Sequence, residues 1–345
     1  MGGKPTFASR PKRRRRPHSS ISLPPSSLAE SLDEPSFSAP YHLKLFQEID
    51  LKKSFVPVVA VLNMKGGVGK TTISANVFRI LFEQKRLKTL LLDLDPQFNL
   101  TQALHTRESY DKFKADGKTI YAVMEPSPHV SLFEIKTSSQ PPPLAEDLVR
   151  SLFYFPKADP PCTLDLLAGD FDMVKYSLMD DSKKLAAVQR RFAAFVQKSK
   201  ETYGLICIDC NPSSSFLTMC ALNVCTHIVV PVRPDRYSIL GLEVLWKFVN
   251  DFIPVSPKPE FIVVLNGLPK SVGGNEIGLV EAELRGHPIF GNRTLASVLR
   301  QSRVLEAKAD YTGFATDRRV SWSTALKSEI VTLSDELSQK LGIKP

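Results

Sequence analysis

Val58 to Thr72, VVAVLNMKGGVGKTT, is the stretch whose reading decides the fold. Val58 to Leu62 is an unbroken apolar run and reads as a buried strand. It opens into a glycine-rich turn, and the ISANVFRILFEQ that follows is helix-forming. Gly66, Gly67 and Gly69 can take backbone angles closed to other residues. Successive N–H groups can therefore turn inward around a polyphosphate at the positive end of the helix. Lys70 supplies a point charge for the outer phosphates, and the Thr71 hydroxyl a hard oxygen for a magnesium ion. Val68 and Thr72 complete the set of residues expected to line the nucleotide.

The box departs from the common phosphate-loop pattern at two points. Met64 stands where the first glycine belongs, and an extra lysine, Lys65, opens the loop. The form KGGVGKTT (65–72) resembles the deviant Walker A box of the ParA/MinD family of ATPases. The resemblance implies that Lys65 reaches across a dimer interface to the partner subunit's nucleotide.

Composition sets the outer bounds. With 345 residues and 43% hydrophobic content, the chain can bury a large core. Nothing approaches eighteen consecutive apolar residues, so no membrane span is expected. Five cysteines without an apolar leader fit a reducing, cytoplasmic setting better than a disulfide framework. The formal charge is +9, but Lys4, Arg10, Lys12, Arg13, Arg14, Arg15 and Arg16 supply most of it ahead of the first acid, Glu30. The rest is nearly balanced, so an anionic partner must be met by a local patch. Residues 1–40, rich in Pro and Ser, read as a disordered basic tail, either a solvated arm or an electrostatic tether to a polyanion. Residues 41–345 read as one domain, with a short amphipathic helix expected over 41–53.

Along the chain, Thr89 to Leu94 reads as a second buried strand ending in Asp93 and Asp95. DLDPQ resembles the family's second nucleotide motif. By that resemblance Asp95 orients the attacking water, while Asp93 supports Lys70 or the magnesium shell. Residues 133–161 contain SSQPPPLAEDL and FPKADPPC and read as a proline-rich surface insertion. Lys183 to Lys200 carries apolar residues at helical spacing. Gly204 to Asp209 is an apolar run ending in an acid, the Walker B arrangement, in which Asp209 holds a magnesium-bound water opposite Thr71. The family usually reads D-T-P-P-S here, so Cys210 and Asn211 depart from it. Cys207 and Cys210 form a C-x-x-C, but on a strand they point to opposite faces, against a shared metal.

His227 to Val232 and Phe261 to Asn266 read as further strands, with Asn266 a candidate neighbour of adenine. In LRQSRVLEA (299–307), Arg300 and Arg303 share a face if the segment is helical, and that face would meet DNA phosphates. The last segment mixes Lys327 and Lys340 with Glu329, Asp335 and Glu336. It reads as a helix packed on the body rather than a basic membrane anchor.

The resemblance, from about Val56 to Leu341, implies a doubly wound α/β P-loop NTPase domain with a mostly parallel sheet. It further implies an ATP- and Mg2+-dependent homodimer that binds nonspecific DNA at the nucleoid and serves partition or positioning of a cargo. Its slow ATPase would be stimulated by a ParB-like partner. The alternatives are a MinD-like membrane-associated ATPase, a related iron-protein reductase and a nucleotide-switched regulator with little hydrolysis.

Overall fold

Strand β1 (Val58–Val61) is buried along its whole length, because the strands and helices around it cover both faces. A strand in that position reads as a continuous apolar run, not an alternating one. The computed structural model describes residues 55–126, 131, 133–213, 215–235, 237–269, 276–306, 311–321 and 323–343. The basic tail and the helix expected over 41–53 lie outside the described residues.

From β1 the chain passes through the glycine loop into α1 (Lys70–Lys85), then β2 (Thr89–Asp93), α2 (Asn99–Leu104), α3 (Arg107–Ala115), α4 (Ile120–Met124) and α5 (Ala145–Leu148). Next come β3 (Arg150–Phe155), β4 (Cys162–Leu167), α6 (Ser182–Ser199), β5 (Leu205–Asp209), α7 (Phe216–Leu222), β6 (His227–Val232) and α8 (Ser238–Lys247). The chain continues through β7 (Glu260–Leu268), α9 (Glu276–Gly286), β8 (Thr294–Arg300) and α10 (Ser323–Lys340).

The strands form one sheet in the order β3-β4-β2-β5-β1-β6-β7-β8. Every pairing is parallel except β3 with β4. From β1 the chain runs out to β2 and on to β3 and β4 at one edge, returns to β5 beside β1, and then runs through β6, β7 and β8 on the other side. The order therefore reverses at β1, and in open α/β sheets a ligand crevice lies at the carboxyl ends of the strands at such a point. Two apolar layers sandwich the sheet. One packs Val58, Ala60 and Leu62 with Phe192, Phe195 and Leu245; the other packs Val59 and Val61 with Phe78, Leu81, Ile330 and Leu333. Cys207 lies in the second layer and Cys210 in the first.

Two segments differ from expectation. The proline-rich stretch supplies α5 and the antiparallel edge strand β3, so it extends the sheet. Aromatic residues secure it: Arg79 stacks on Phe153 at 3.8 Å, and Arg86 on Phe155 at 3.7 Å.

The helix on which Arg300 and Arg303 would share a face is not formed. Thr294–Arg300 is β8, paired in parallel with β7, and Arg303 opens a separate 3-10 turn, Arg303–Leu305. Leu295 and Leu299 are both buried, and their spacing of four suits one face of a strand as well as one face of a helix. Pairing with β7 decides between them.

Helix α10 covers the second apolar layer with Leu326, Ile330, Leu333 and Leu337, at spacings of four, three and four. Its carboxylates also cap the outer edge of β8. Glu336 accepts from the N–H groups of Ala296 (2.7 Å) and Ser297 (2.8 Å), and Glu329 from that of Arg300 (3.1 Å). The apolar face of this helix is thus occupied by the protein itself. Among the described residues, no helix is long and apolar enough to cross a membrane.

Candidate functional site

The site forms where β1, β2 and β5 end side by side. Val61 and Asp93 both flank Asp209 in the sheet register. The loop between β1 and α1 rises over this row. A Cβ at Gly66 or Gly67 would meet nothing within 4 Å, and Gly67 has φ 72°. The loop backbone is therefore open to an incoming group. Gly69 is different: its φ is 94°, and a Cβ there would lie 2.1 Å from Asn266 Nδ2.

Asn63 shapes the start of the loop. Its Nδ2 donates to the Pro231 carbonyl at 2.8 Å, and its Oδ1 accepts from the Lys65 N–H at 2.9 Å. Lys70 is folded under the loop, where its Nζ donates to the carbonyls of Asn63 and Lys65, each at 3.2 Å. Burial lowers its pKa, and the nearby Asp209, Asp95 and Cys210 partly offset that. An ammonium held by neutral carbonyls retains capacity to attract phosphate oxygens.

Asp209 is buried and accepts from Thr71 Oγ1 at 2.8 Å and from Ser74 Oγ at 2.7 Å. Thr71 and Ser74 lie three apart on α1, so both hydroxyls fall on the face that meets β5. Burial pushes the Asp209 carboxyl above the ordinary carboxylate range; the two hydroxyls pull it back. Asp93, fully buried beside it, is also raised by burial and by the Asp209 charge. Its Oδ2 accepts from the Thr101 N–H (2.8 Å) and Oγ1 (2.7 Å), and its Oδ1 from the Asp95 N–H (3.3 Å). Asp93 thus binds the segment that carries Asp95. Asp95 is also raised by burial, with the Gln97 N–H and the Lys70 charge opposing.

Lys65 stands at the loop's exposed end with its Nζ paired to the Asp235 carboxylate. Asp235 would be raised by burial, but Lys65, the Tyr237 N–H and the Ser238 hydroxyl bring it below its ordinary value. Asn266, expected near adenine, stands beside the loop and donates from Nδ2 to the Val68 carbonyl at 2.6 Å. Arg300 and Arg303 are exposed and lie away from this cluster in sequence and element. Arg300 Nη1 is 3.4 Å from Glu329 Oε1.

Lys65, Lys70, Thr71, Asp93, Asp95 and Asp209, drawn from three separate motifs, thus come together at one edge of the sheet. Asn63, Ser74, Thr101 and Asp235 were not anticipated. Helical spacing from Thr71 was available for Ser74. The contacts of Lys65 with Asp235 and of Asn63 with Pro231 span too much chain for spacing to reveal.

A family model described as an AAA domain matches residues 56–258. The chromosome-partitioning ATPase Soj of Treponema pallidum is 29% identical over 189 residues, covering 55% of this chain and 62% of that protein. The chain thus matches less than two thirds of that relative's length. Among solved structures, pNOB8 ParA bound to nonspecific DNA superposes with a TM-score of 0.56 at 16% identity, covering 84% of this chain and all of the other. A plasmid partition protein from Borrelia burgdorferi bound to AMPPNP gives a TM-score of 0.54 at 17% identity, covering 83% of this chain and all of the other. At such identities the structural likeness shows the fold.

Proposed function

Because the chain belongs to the ParA/MinD family of P-loop ATPases, we propose that it hydrolyses ATP as a dimerisation switch and, in the ATP state, binds DNA without regard to sequence. That activity would serve the partition of a plasmid or chromosome, or the positioning of another cargo, at the nucleoid. The observation that carries the reading is the Thr71–Asp209 pair, 2.8 Å apart beneath an open glycine loop with Lys70 folded under it.

The residues fit a magnesium nucleotide. The glycine N–H groups offer donors to the phosphates, and Lys70 adds charge. Thr71 and Asp209 present hard oxygens, the donor type that Mg2+ takes. When bound, the ion would neutralise charge on the transferring phosphate. Asp95 would orient the attacking water. Asp93 would hold Asp95 in place through their 3.3 Å hydrogen bond. Asn266, braced on Val68, is retained as the neighbour of the base.

Lys65 would exchange Asp235 for the partner subunit's nucleotide. The exchange is cheap, since both side chains are well exposed and such pairs contribute about 0–1 kcal/mol. Arg300 and Arg303 would contact DNA phosphates from the end of β8 and the turn after it. The neighbour solved on nonspecific DNA supports DNA binding in general, while the choice of Arg300 and Arg303 rests on their exposure. A slow intrinsic rate follows from the lack of an evident arginine finger in the sequence, which leaves room for a ParB-like stimulating partner.

The test is a mobility shift on unrelated duplexes with ATP, ADP or no nucleotide, alongside phosphate release, for wild type and Lys70→Ala. Retention that needs both ATP and Lys70, with slow phosphate release, is expected. Binding indifferent to nucleotide, or no phosphate release at all, would sink the proposal.

A further inference from the structure

The direction in which Asp95 points is set by a tight turn. The Phe98 N–H donates to the Asp95 carbonyl at 2.8 Å, and the Gln97 N–H donates to Asp95 Oδ1 at 2.9 Å. Phe98, which ends this turn and caps α2, has φ 41° and ψ 41°. A bulky side chain rarely adopts that left-handed conformation, and it persists only where the surroundings over-determine it.

The surroundings here do so from two sides. On one, the Phe98 ring stacks on Tyr110 with centroids 4.9 Å apart and planes 12° from parallel. On the other lies Gly169, where a Cβ would stand 2.7 Å from Phe98 Cβ and 2.9 Å from Asp93 Cγ. The two sides are joined. Tyr110 sits on α3, which buries none of its own residues, and Lys114 at the end of that helix bonds Asp170 at 3.0 Å and Asp172 at 2.7 Å. Asp170 follows Gly169 directly, so helix and strand end form a single vise around Phe98.

We propose that the Phe98–Tyr110 pair positions Asp95. The stack holds Phe98 in the left-handed conformation, and that closes the turn which aims the Asp95 carboxylate. Phe98 and Tyr110 are positioning residues that act through the turn. The inference rests on the hydrolytic function proposed above, with Asp95 orienting the water.

The test compares steady-state ATP hydrolysis and binding of a fluorescent ATP analogue for wild type, Tyr110→Ala, Tyr110→Phe and Phe98→Gly. Tyr110→Ala should lower kcat about tenfold, as expected for a misaimed group, with analogue affinity held within about twofold. Tyr110→Phe should restore wild-type turnover, because the ring makes the stack and not the hydroxyl. Phe98→Gly takes the left-handed dihedral without strain and so needs no ring to hold it; it should keep turnover well above that of Tyr110→Ala. Wild-type turnover in Tyr110→Ala, failure of Tyr110→Phe to rescue, or an equal loss of affinity and kcat overturns the positioning role while leaving the hydrolytic function intact. A wild-type protein that releases no phosphate overturns both.

Discussion

Gly69 shows how closely a single residue can be fixed. Its φ of 94° strains any side chain, and a Cβ would also strike Asn266 Nδ2 at 2.1 Å. Gly69→Ala should destabilise the fold by about 1–3 kcal/mol. The two causes separate in an Asn266→Ala background, where the clash is gone and the dihedral cost stays. In denaturant melts, Gly69→Ala/Asn266→Ala should remain less stable than Asn266→Ala; equal midpoints would refute the dihedral argument.

His105 offers a second test at this scale. It is buried, with Nδ1 3.2 Å from Arg150 Nη1 and 3.3 Å from Ser109 Oγ, and burial together with the Arg150 charge holds its pKa down to about 4. The unfolded chain binds the proton more readily, with an ordinary value of 6.5. The neutral ring's contribution is therefore present above pH 6.5 and is lost as pH falls toward 4. Wild type should lose stability more steeply than His105→Gln across that window; parallel profiles would rule His105 out as the cause. At the residue scale, the convergence of Lys70, Thr71 and Asp209 was legible because the motifs that carry them place those residue types at strand ends and the helix start. Thr101 and Asp235 were not, because their partners Asp93 and Lys65 are joined to them only by the folded chain.

Elements were legible in proportion to how far their own pattern excluded alternatives. β1, β2, β5 and β6 are apolar runs too short for helices, and each ends in a turn or an acid. β8 was left open between helix and strand, since Leu295 and Leu299 satisfy either period, and the ladder to β7 that settles the matter is nonlocal. β3 was hidden by flanking prolines, and it is held by its ladder to β4 together with Arg79 and Arg86 stacking on its phenylalanines. The segment before it is tied down by a buried ion pair no pattern announces. Lys175 Nζ lies 2.7 Å from Glu125 Oε1, with both side chains almost wholly excluded from water. Lys175 also donates to Tyr121 OH at 3.0 Å and to the Glu134 carbonyl at 2.7 Å, while Glu125 accepts from Tyr176 OH and from the Lys136 N–H, each at 2.9 Å. Breaking such a pair leaves a buried charge, so Lys175→Met should cost about 3–5 kcal/mol, whereas Lys175→Met/Glu125→Leu should recover most of it. A single-variant loss below about 1 kcal/mol in urea unfolding would show that water reaches the pair.

At the scale of the whole molecule, charge is segregated. Seven basic residues precede the first acid at Glu30, while the remainder of the chain is close to neutral. A weak global field cannot by itself draw the folded body to DNA, so the DNA binding proposed above would have to come from local contacts, from the basic run, or from both. Salt dependence separates these sources. If Arg300 and Arg303 of two subunits neutralise about four phosphates, log affinity should fall with log salt at a slope of about −3.6. Contacts from Lys12, Arg13, Arg14, Arg15 and Arg16 would steepen that slope well beyond this value, and replacing those five by glutamine in the full chain should return it. The measurement is a salt titration of ATP-dependent DNA binding for wild type, the five-residue variant and Arg300→Ala/Arg303→Ala. A slope unchanged in the five-residue variant removes the tether. A slope unchanged in the arginine variant moves the DNA surface away from the end of β8, because exposed arginines paired no more tightly than Arg300 with Glu329 at 3.4 Å release counterions only if they touch the phosphates.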